Sequence, residues 1–453
     1  MKTVRITDYE SKEIDPENYI SFDSIPHLCH IETTYACNGK CLFCYNPSRS
    51  QKINLNIIDQ IVKNIAESQI PHVYLIGGEP SLLGTKKLNE YIEILSDYSS
   101  VTIVTNGIIK LDGLSNKLAC IGIPLHGKNQ KTHEFLNQVP GSFPAITENI
   151  KHYVSQGFDV RCIPVLSGYN HNQIYDIIGL AESLGMESIF VDRYEDGGVG
   201  AKQSDKYHLR PTLEQFRIAL GQMIKARDDF KGLKGKVGFG TAIPFCLDSR
   251  LLEHNMTCDC GVGDYFAAIN PDGEVRMCNQ SQLSFGNILE EPIEKIWQKK
   301  NLDIFRDLSW VTEPCKSCKL LNDCRCGCKV DTNCSNEFCI DYAVRHENID
   351  KKFISNHETK KNVITTPPSV QTNRFFKINK YTKLILKYDD KFLKTRYQTV
   401  KLNDQALAMF NTIIKNHIES EIDLVKLFQD EVEKDDIGFF VDQLFKIEAL
   451  DSI

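Results

Sequence analysis

The sequence predicts an α/β fold built on a parallel sheet, and three observations carry that prediction. Residues 1 to about 240 alternate short β-branched runs with longer segments at helical spacing, six times over. The short runs are apolar enough to be buried on both faces, as strands lying beneath crossover helices must be. The chain is also long, with 453 residues, 42% hydrophobic and 25% charged, which gives material for two or three domains with ample core. Parallel strands joined by right-handed crossovers make either an open doubly wound sheet or a partial barrel. In a barrel, functional residues sit at the C-terminal strand ends.

The strands, in order, are HLCHIETT from His27, HVYLIGG from His72, VTIVTNG from Val101, CIGIPLHG from Cys120, DVRCIPVL from Asp159 and SIFVDRY from Ser188. Between the first two, Ile57, Ile58, Ile61, Val62 and Ile65 mark one face of a helix. Further helical segments fit near residues 86–98, 143–156 and 171–185. From about 246 to 342 the chain is cysteine-rich, shows little periodicity and carries turn signals such as NPDGE; elements so short and polar need metal to hold together. The polar stretch that follows ends in Pro367 and Pro368 and reads as a linker. Beyond it, FFKI and KLILKY are strand-like and LNDQALAMFNTIIKN is helical, so a small third domain of strands then helices is expected. The division is 1–240, 241–345, a linker at 346–373, and 374–453.

No run approaches the roughly 20 apolar residues of a membrane span, and the polar start lacks a signal-peptide core, so the expected location is the cytoplasm, with no membrane partner. Lys plus Arg at 53 against Asp plus Glu at 60 gives −7 with mixed signs, so no nucleic-acid partner is expected. Cysteine is the outlier. Of 17, six precede residue 245, eleven lie between Cys246 and Cys339, and none follows. In a large cytosolic chain such clustering indicates metal ligands rather than disulfides.

Cys37, Cys41 and Cys44 form a CxxxCxxC triplet directly after the first strand. Three thiolates in a short loop can hold three irons of a [4Fe-4S] cluster and leave the fourth open; a zinc loop is the alternative. With this triplet the sequence resembles the radical S-adenosylmethionine (radical SAM) enzymes over most of its first 240 residues. Phe43 precedes the last cysteine, as in that family. Gly77, Gly78, Glu79 and Pro80 spell GGEP where the family binds the methionine amino group of SAM, and Thr105, Asn106 and Gly107 spell the TNG segment beside the ribose. Glycines permit close backbone approach, and the glutamate can accept from an ammonium. Arg193 is similar to a family arginine facing the cofactor, with a surface ion pair as the alternative. Where many relatives carry SLDG, this chain has Pro124, Leu125, His126 and Gly127, so no cofactor contact is assigned there and His126 reads as structural. The resemblance implies a partial (β/α)6 barrel, reductive SAM cleavage to a 5'-deoxyadenosyl radical, and an electron donor such as flavodoxin or ferredoxin.

Cys260, the PDG turn and Cys278 precede Cys315, Cys318, Cys324 and Cys328 in CxxCxxxxxCxxxC, with GNILEEPIEKIW between. A structural zinc site is the alternative reading. The whole resembles the SPASM extension, which implies two auxiliary clusters and three [4Fe-4S] clusters in all. Carried over, Cys260, Cys278 and Cys328 hold one, with Cys258 or Cys246 as fourth ligand; Cys315, Cys318 and Cys324 hold the other, closed by Cys339 or else Cys334. Cys326 is a spare, and Cys29, Cys120 and Cys162 are core thiols.

Residues 374–453 resemble the small winged-helix-like α+β fold of the peptide-binding chaperone of pyrroloquinoline quinone biosynthesis, the RiPP recognition element. Leu402, Ala406, Phe410 and Ile413 form an apolar stripe that Leu424, Phe428, Val441 and Leu444 continue. These resemblances imply a maturase of a ribosomally made precursor peptide, its leader held by residues 374–453, that joins a Cys sulfur to carbon. Two other readings stand beside it. One is a sulfatase-maturase-like oxidation to formylglycine, whose relatives carry an acidic base after the cysteine where this chain has Asn279. The other is a zinc-bound peptide-binding scaffold with no chemistry.

Overall fold

The computed structural model describes residues 20–21, 25–233, 236–257, 259–330, 333–334, 337–338, 341–346, 376–379, 382–387, 390–395, 399–428, 432, 434–446 and 449–452. They belong to two compact units, one drawn from residues 28–359 and the other from residues 1–27 together with 360–453.

Counting from a short strand β1 (Ile20–Ser21) of the smaller unit, the expected strands are β2 (Leu28–Glu32), β3 (His72–Ile76), β4 (Ser100–Val104), β5 (Cys120–Ile123), β6 (Val160–Cys162) and β8 (Ser188–Arg193). The run DVRCIPVL breaks around Pro164, which has no N–H to give a ladder, and resumes as β7 (Val165–Leu166). The strands are parallel in the order β2-β3-β4-β5-β6-β8, and β9 (Val237–Phe239) continues on β8. Sequential order without a reversal sends every right-handed crossover to one face. The sheet therefore curls as a partial barrel, and the doubly wound alternative is excluded.

The crossover helices include α1 (Leu55–Glu67), α2 (Gly84–Ser96), α3 (Gln130–Asn137), α4 (Ser142–Ser155) and α5 (Ile174–Ser183). In α1 the buried residues are Ile58, Ile61, Val62 and Ile65, a spacing that makes one stripe. Each such side chain contributes about 1.5–3 kcal/mol by leaving water. Helix α3 was not expected, because QKTHEFLN is weakly apolar; its start is set by the Asn129 side chain, which accepts from the Thr132 N–H at 3.1 Å.

The cysteine-rich region departs from expectation. Strand β10 (Phe266–Ile269) pairs in parallel with β2 on the edge opposite β3, and β11 (Glu274–Arg276) and β12 (Ser284–Asn287) follow antiparallel. The extension thus continues the barrel sheet to eleven strands instead of depending on metal alone. These strands are too short to show a period of two in the sequence. The seam is also tied by an ion pair between Glu32 and Arg276, both without exposed side chain, and Arg276 Nη1 donates to the Ser281 carbonyl at 3.0 Å.

In the smaller unit, β1 adds in parallel to Lys383–Lys387, which pairs antiparallel with Asp390–Lys394 and this with Thr399–Leu402. Residues 20–21 thus belong to this sheet, although the sequence places them with the first domain. Phe376–Ile378 and Leu450–Ser452 form a second antiparallel pair. Helices Asp404–Lys415, Glu421–Phe428 and Lys434–Lys446 complete the unit, and the whole expected stripe, from Leu402 through Phe410 to Leu444, lies in one core. Residues 347–373 of the expected linker lie outside the described residues.

Burial raises the Glu32 carboxyl to about 7 against the opposing pull of Arg276. A raised carboxyl favours the folded state at low pH, and that contribution is lost as pH rises through about 7. Arg276→Leu leaves Glu32 buried without its counter-charge, so a loss of about 3–5 kcal/mol is expected at pH 8, and less at pH 6, where Glu32 takes up a proton. Urea unfolding under anaerobic conditions at the two pH values checks this; an unchanged midpoint at pH 8 contradicts it.

Candidate functional site

The cysteine loop leaves β2 at Glu32 and is fixed by backbone bonds on two sides. Lys40 and Leu42 donate their N–H groups to the carbonyls of Asn137 (3.2 Å) and Leu136 (2.9 Å) at the end of α3. Cys37 donates to the Arg49 carbonyl at 3.1 Å, and Arg49 Nη2 donates to the Cys41 carbonyl at 2.7 Å. The N–H groups of Gly39 and Asn46 point at Cys37 Sγ (3.3 Å) and Cys44 Sγ (3.4 Å). A Cβ on Gly39 would lie 3.4 Å from Cys37 Sγ and 3.8 Å from Cys41 Sγ, so these thiols stand on the same side of the loop. Burial pushes the Cys37 thiol up to about 11 and Cys41 further, with the neighbouring thiols adding to the rise. Thiolates form here only with positive charge among them, and three grouped sulfurs with N–H donors aimed at two of them suit an iron-sulfur cluster.

The GGEP segment is clamped to this loop. Gly78 donates to the Thr34 carbonyl at 2.5 Å and Glu79 to the Ala36 carbonyl at 2.8 Å. Gly77 has φ +137°, and a Cβ there would lie 2.5 Å from the Thr34 oxygen; a side chain at either glycine would force the loop off the strand end. Glu79 is fully buried, and its carboxylate accepts from the Ser81 N–H (2.9 Å), the Thr105 hydroxyl (2.5 Å) and the Asn106 N–H (2.7 Å). A carboxylate offers about four acceptor positions, so three are already used within the protein. Glu79 is first a brace between the ends of β3 and β4. Asn106 Nδ2 donates to Asn38 Oδ1 at 2.7 Å, which brings the TNG segment against the triplet. Pro80 opens the 3-10 turn Pro80–Leu83, and Phe43 packs edge-on to His126 with ring centroids 4.6 Å apart. His126 is structural as expected: buried, and accepting from the Val165 N–H at Nδ1 (3.2 Å).

Strand alternation separates two faces. Ile31, Leu75, Ile103 and Val191 are fully buried on one. On the other, His30 stacks on Tyr74 (4.9 Å), Arg161 Nη1 donates to the Tyr74 hydroxyl (2.9 Å), and the Arg161 guanidinium lies 4.7 Å from the Phe190 ring centroid. Asp192, two residues beyond Phe190, shares this polar and aromatic inner face. Arg193 points the other way. It shares a cavity with Leu213 and Phe216 and forms a buried pair with Asp341, Nη2 to Oδ2 2.6 Å. The ion pair is buried instead of at the surface, and Arg193 alternates with the inner-face residues Phe190 and Asp192 along its strand.

The second cysteine group gathers around a small cavity lined by Cys246, Cys315, Cys318, Cys324 and Cys326 with Pro244, Phe245, Leu320 and Leu321. Cys246 therefore lines one cavity with the Cys315 set, and Cys326 lines it too. The sequence missed this because Cys246 precedes the spaced pattern and is joined to it only by folding. Among the described residues no three candidate ligands converge on the point of a single ion; here the thiols ring a volume. Cys260 and Cys278 are electrostatic neighbours, and Cys328 is buried with its Sγ accepting from the Val330 N–H at 3.3 Å. Cys258 and Cys339 lie outside the described residues, and Cys334 lies in the strand Asn333–Cys334. Cys29, Cys120 and Cys162 are fully buried in strands. Asn279, beside Cys278, accepts at Oδ1 from His30 Nδ1 (2.7 Å), and burial holds His30 down to about 4.

Burial raises the Asp192 carboxyl from its ordinary 3.8 to about 7. Stability from this group is complete below its unfolded value and lost as pH rises through about 7. Asp192→Asn is therefore expected to raise the thermal midpoint at pH 8 by roughly a few degrees, the gain shrinking towards pH 5. Differential scanning fluorimetry across that range checks it, and a gain independent of pH contradicts it.

A family model described as the radical SAM superfamily matches residues 31–181, and one described as an iron-sulfur cluster-binding domain, SPASM, matches residues 258–319. The mycofactocin maturase MftC of Mycolicibacterium smegmatis is 27% identical over 326 residues, covering 66% of this chain and 76% of that protein. The antilisterial bacteriocin subtilosin biosynthesis protein AlbA of Bacillus subtilis is 26% identical over 285 residues, 60% of each. The crystal structure of Streptococcus suis SuiB bound to precursor peptide SuiA superposes with a TM-score of 0.52 at 18% identity, covering 70% of this chain and 75% of that one, which is a likeness of fold. With the triplet clamped at the barrel's strand ends and the cysteine-lined cavity beyond it, the chain is an enzyme that carries a radical SAM domain over residues 31–181 and a SPASM iron-sulfur cluster-binding domain over residues 258–319.

Proposed function

We propose that this enzyme matures a ribosomally synthesised precursor peptide, joining a cysteine sulfur to a carbon as a thioether. The observation that carries the peptide reading is the separate C-terminal sheet. β1 covers its Lys383–Lys387 edge, so among the described strands Thr399–Leu402 is the edge at the other end. An extended leader adding there gains affinity from main-chain hydrogen bonds and leaves the modified residues free for the barrel. MftC and AlbA, named for a maturase and for bacteriocin biosynthesis, support the reading, as does SuiB with its precursor peptide.

When bound, SAM and a reduced cluster would supply a 5'-deoxyadenosyl radical that takes hydrogen from a substrate carbon; as the C–S bond forms, the thiol proton would pass to solvent and the one surplus electron to an oxidised auxiliary cluster. Cys37, Cys41 and Cys44 would hold three irons. Gly77, Gly78, Pro80, Thr105, Asn106 and Phe43 would border SAM, with Glu79 holding the strand ends in place and offering its remaining acceptor position. The inner face of His30, Tyr74, Arg161, Phe190 and Asp192 would seat the peptide and exclude water. Two auxiliary clusters would complete three [4Fe-4S] clusters, reduced by a flavodoxin or ferredoxin in the cytoplasm. Formylglycine formation is less favoured, because Asn279 offers an amide, already bonded to His30, where that chemistry needs a base.

Anaerobically purified protein is expected to hold about twelve irons per chain. Replacing Cys37, Cys41 and Cys44 with Ala should remove about four of them and abolish 5'-deoxyadenosine formation; iron analysis finding no loss contradicts the assignment. Deleting residues 374–453 should raise the dissociation constant for a leader peptide at least tenfold by fluorescence anisotropy while 5'-deoxyadenosine is still formed without peptide. Equal affinity of the truncated and full-length proteins refutes leader recognition by this unit.

A further inference from the structure

We propose that Cys246 is the fourth protein ligand of the auxiliary cluster held by Cys315, Cys318 and Cys324, an assignment that rests on the iron-sulfur reading of the extension. Cys246 lies in the 3-10 turn Phe245–Leu247, a few residues after the barrel strand β9, and faces the same cavity as the other three thiols. The turn and the cysteine loop are built to approach each other. Gly327 has φ +72°, and a Cβ there would lie 2.6 Å from Pro244 Cδ, so the loop admits the turn only because residue 327 is glycine. Phe245 of this turn then lines the same cavity as Cys324.

Chain direction divides the five thiols that line the cavity. Cys315, Cys318 and Cys324 come from one stretch of chain, and a cluster with an iron at each corner needs a ligand from another direction. Cys246 supplies that direction. Cys326 comes from the same short loop as Cys324 and adds no new direction. Pro244, Phe245, Leu320 and Leu321 keep water from the cluster. The assignment frees Cys339 and Cys334 from ligation and makes the cluster a bridge between the barrel's exit and the extension.

The test uses full-length protein lacking the first triplet (Cys37, Cys41 and Cys44 as Ala), so that only the auxiliary clusters, about eight irons, remain. Iron, zinc and sulfide are measured, and the dithionite-reduced protein is examined by electron paramagnetic resonance. Cys246→Ala in this background is expected to lose up to four irons or to shift the g values of one signal, while Cys339→Ala changes neither. Cys246→Ser, which keeps the side chain's size, is expected to hold its fold by circular dichroism and still shift that signal, so an insoluble Ala variant leaves the question decided. Iron and spectra unchanged in both Cys246 variants overturn the ligand assignment, and so does the same loss in Cys339→Ala. A background protein with zinc and no iron-sulfur absorption overturns the underlying iron-sulfur reading instead.

Discussion

The larger unit depends on one close backbone approach, that of Gly77 and Gly78 to the carbonyls of Thr34, Tyr35 and Ala36. It sets the end of β3 directly on the loop that carries the triplet. Glu79 then distributes three hydrogen bonds from this junction to the 3-10 turn and to the end of β4. The end of α3 holds the far side of the loop. The thiols are therefore grouped by protein bonds before any metal arrives. Because burial holds Cys37 and Cys41 protonated, loading the cluster and deprotonating these ligands are a single linked event.

Much of the barrel was legible in the sequence, because a strand buried on both faces announces itself as an apolar run and α1 shows its stripe openly. The motifs at strand ends were legible for the same reason, since CNGKCLFC, GGEP and TNG each follow such a run. What escaped were features that exist only between distant segments. The β10–β2 pairing joins residues 238 positions apart (266 − 28), and no local pattern records it. Cys246 reached its neighbours through tertiary contact in the same way. The partner of Arg193 escaped likewise, because Asp341 lies 148 residues further along the chain.

Two buried ion pairs fasten the extension, Glu32 with Arg276 at the inner seam and Arg193 with Asp341 beside the cysteine cavity. Each has one partner on a barrel strand and the other in the extension. Buried pairs of this kind add little net stability over well-packed apolar residues but are strongly destabilising when halved, so they specify register more than they strengthen the fold. The inner face shows the complementary logic. Its polar groups are arranged around Tyr74 and Phe190, where burial raises the Asp192 carboxyl as it raises Glu32 at the seam.

The parallel pairing of β10 with β2 also constrains how the protein is made. β2 leaves the ribosome early and can pair with β3 soon after, but its other edge has no partner until β10 has been synthesised. At 5–20 residues per second that interval is roughly ten to fifty seconds, during which a flat apolar edge is open to other chains. Parallel pairing over such a separation is intrinsically slow to form. The nascent barrel therefore keeps one unpaired strand edge until the extension emerges.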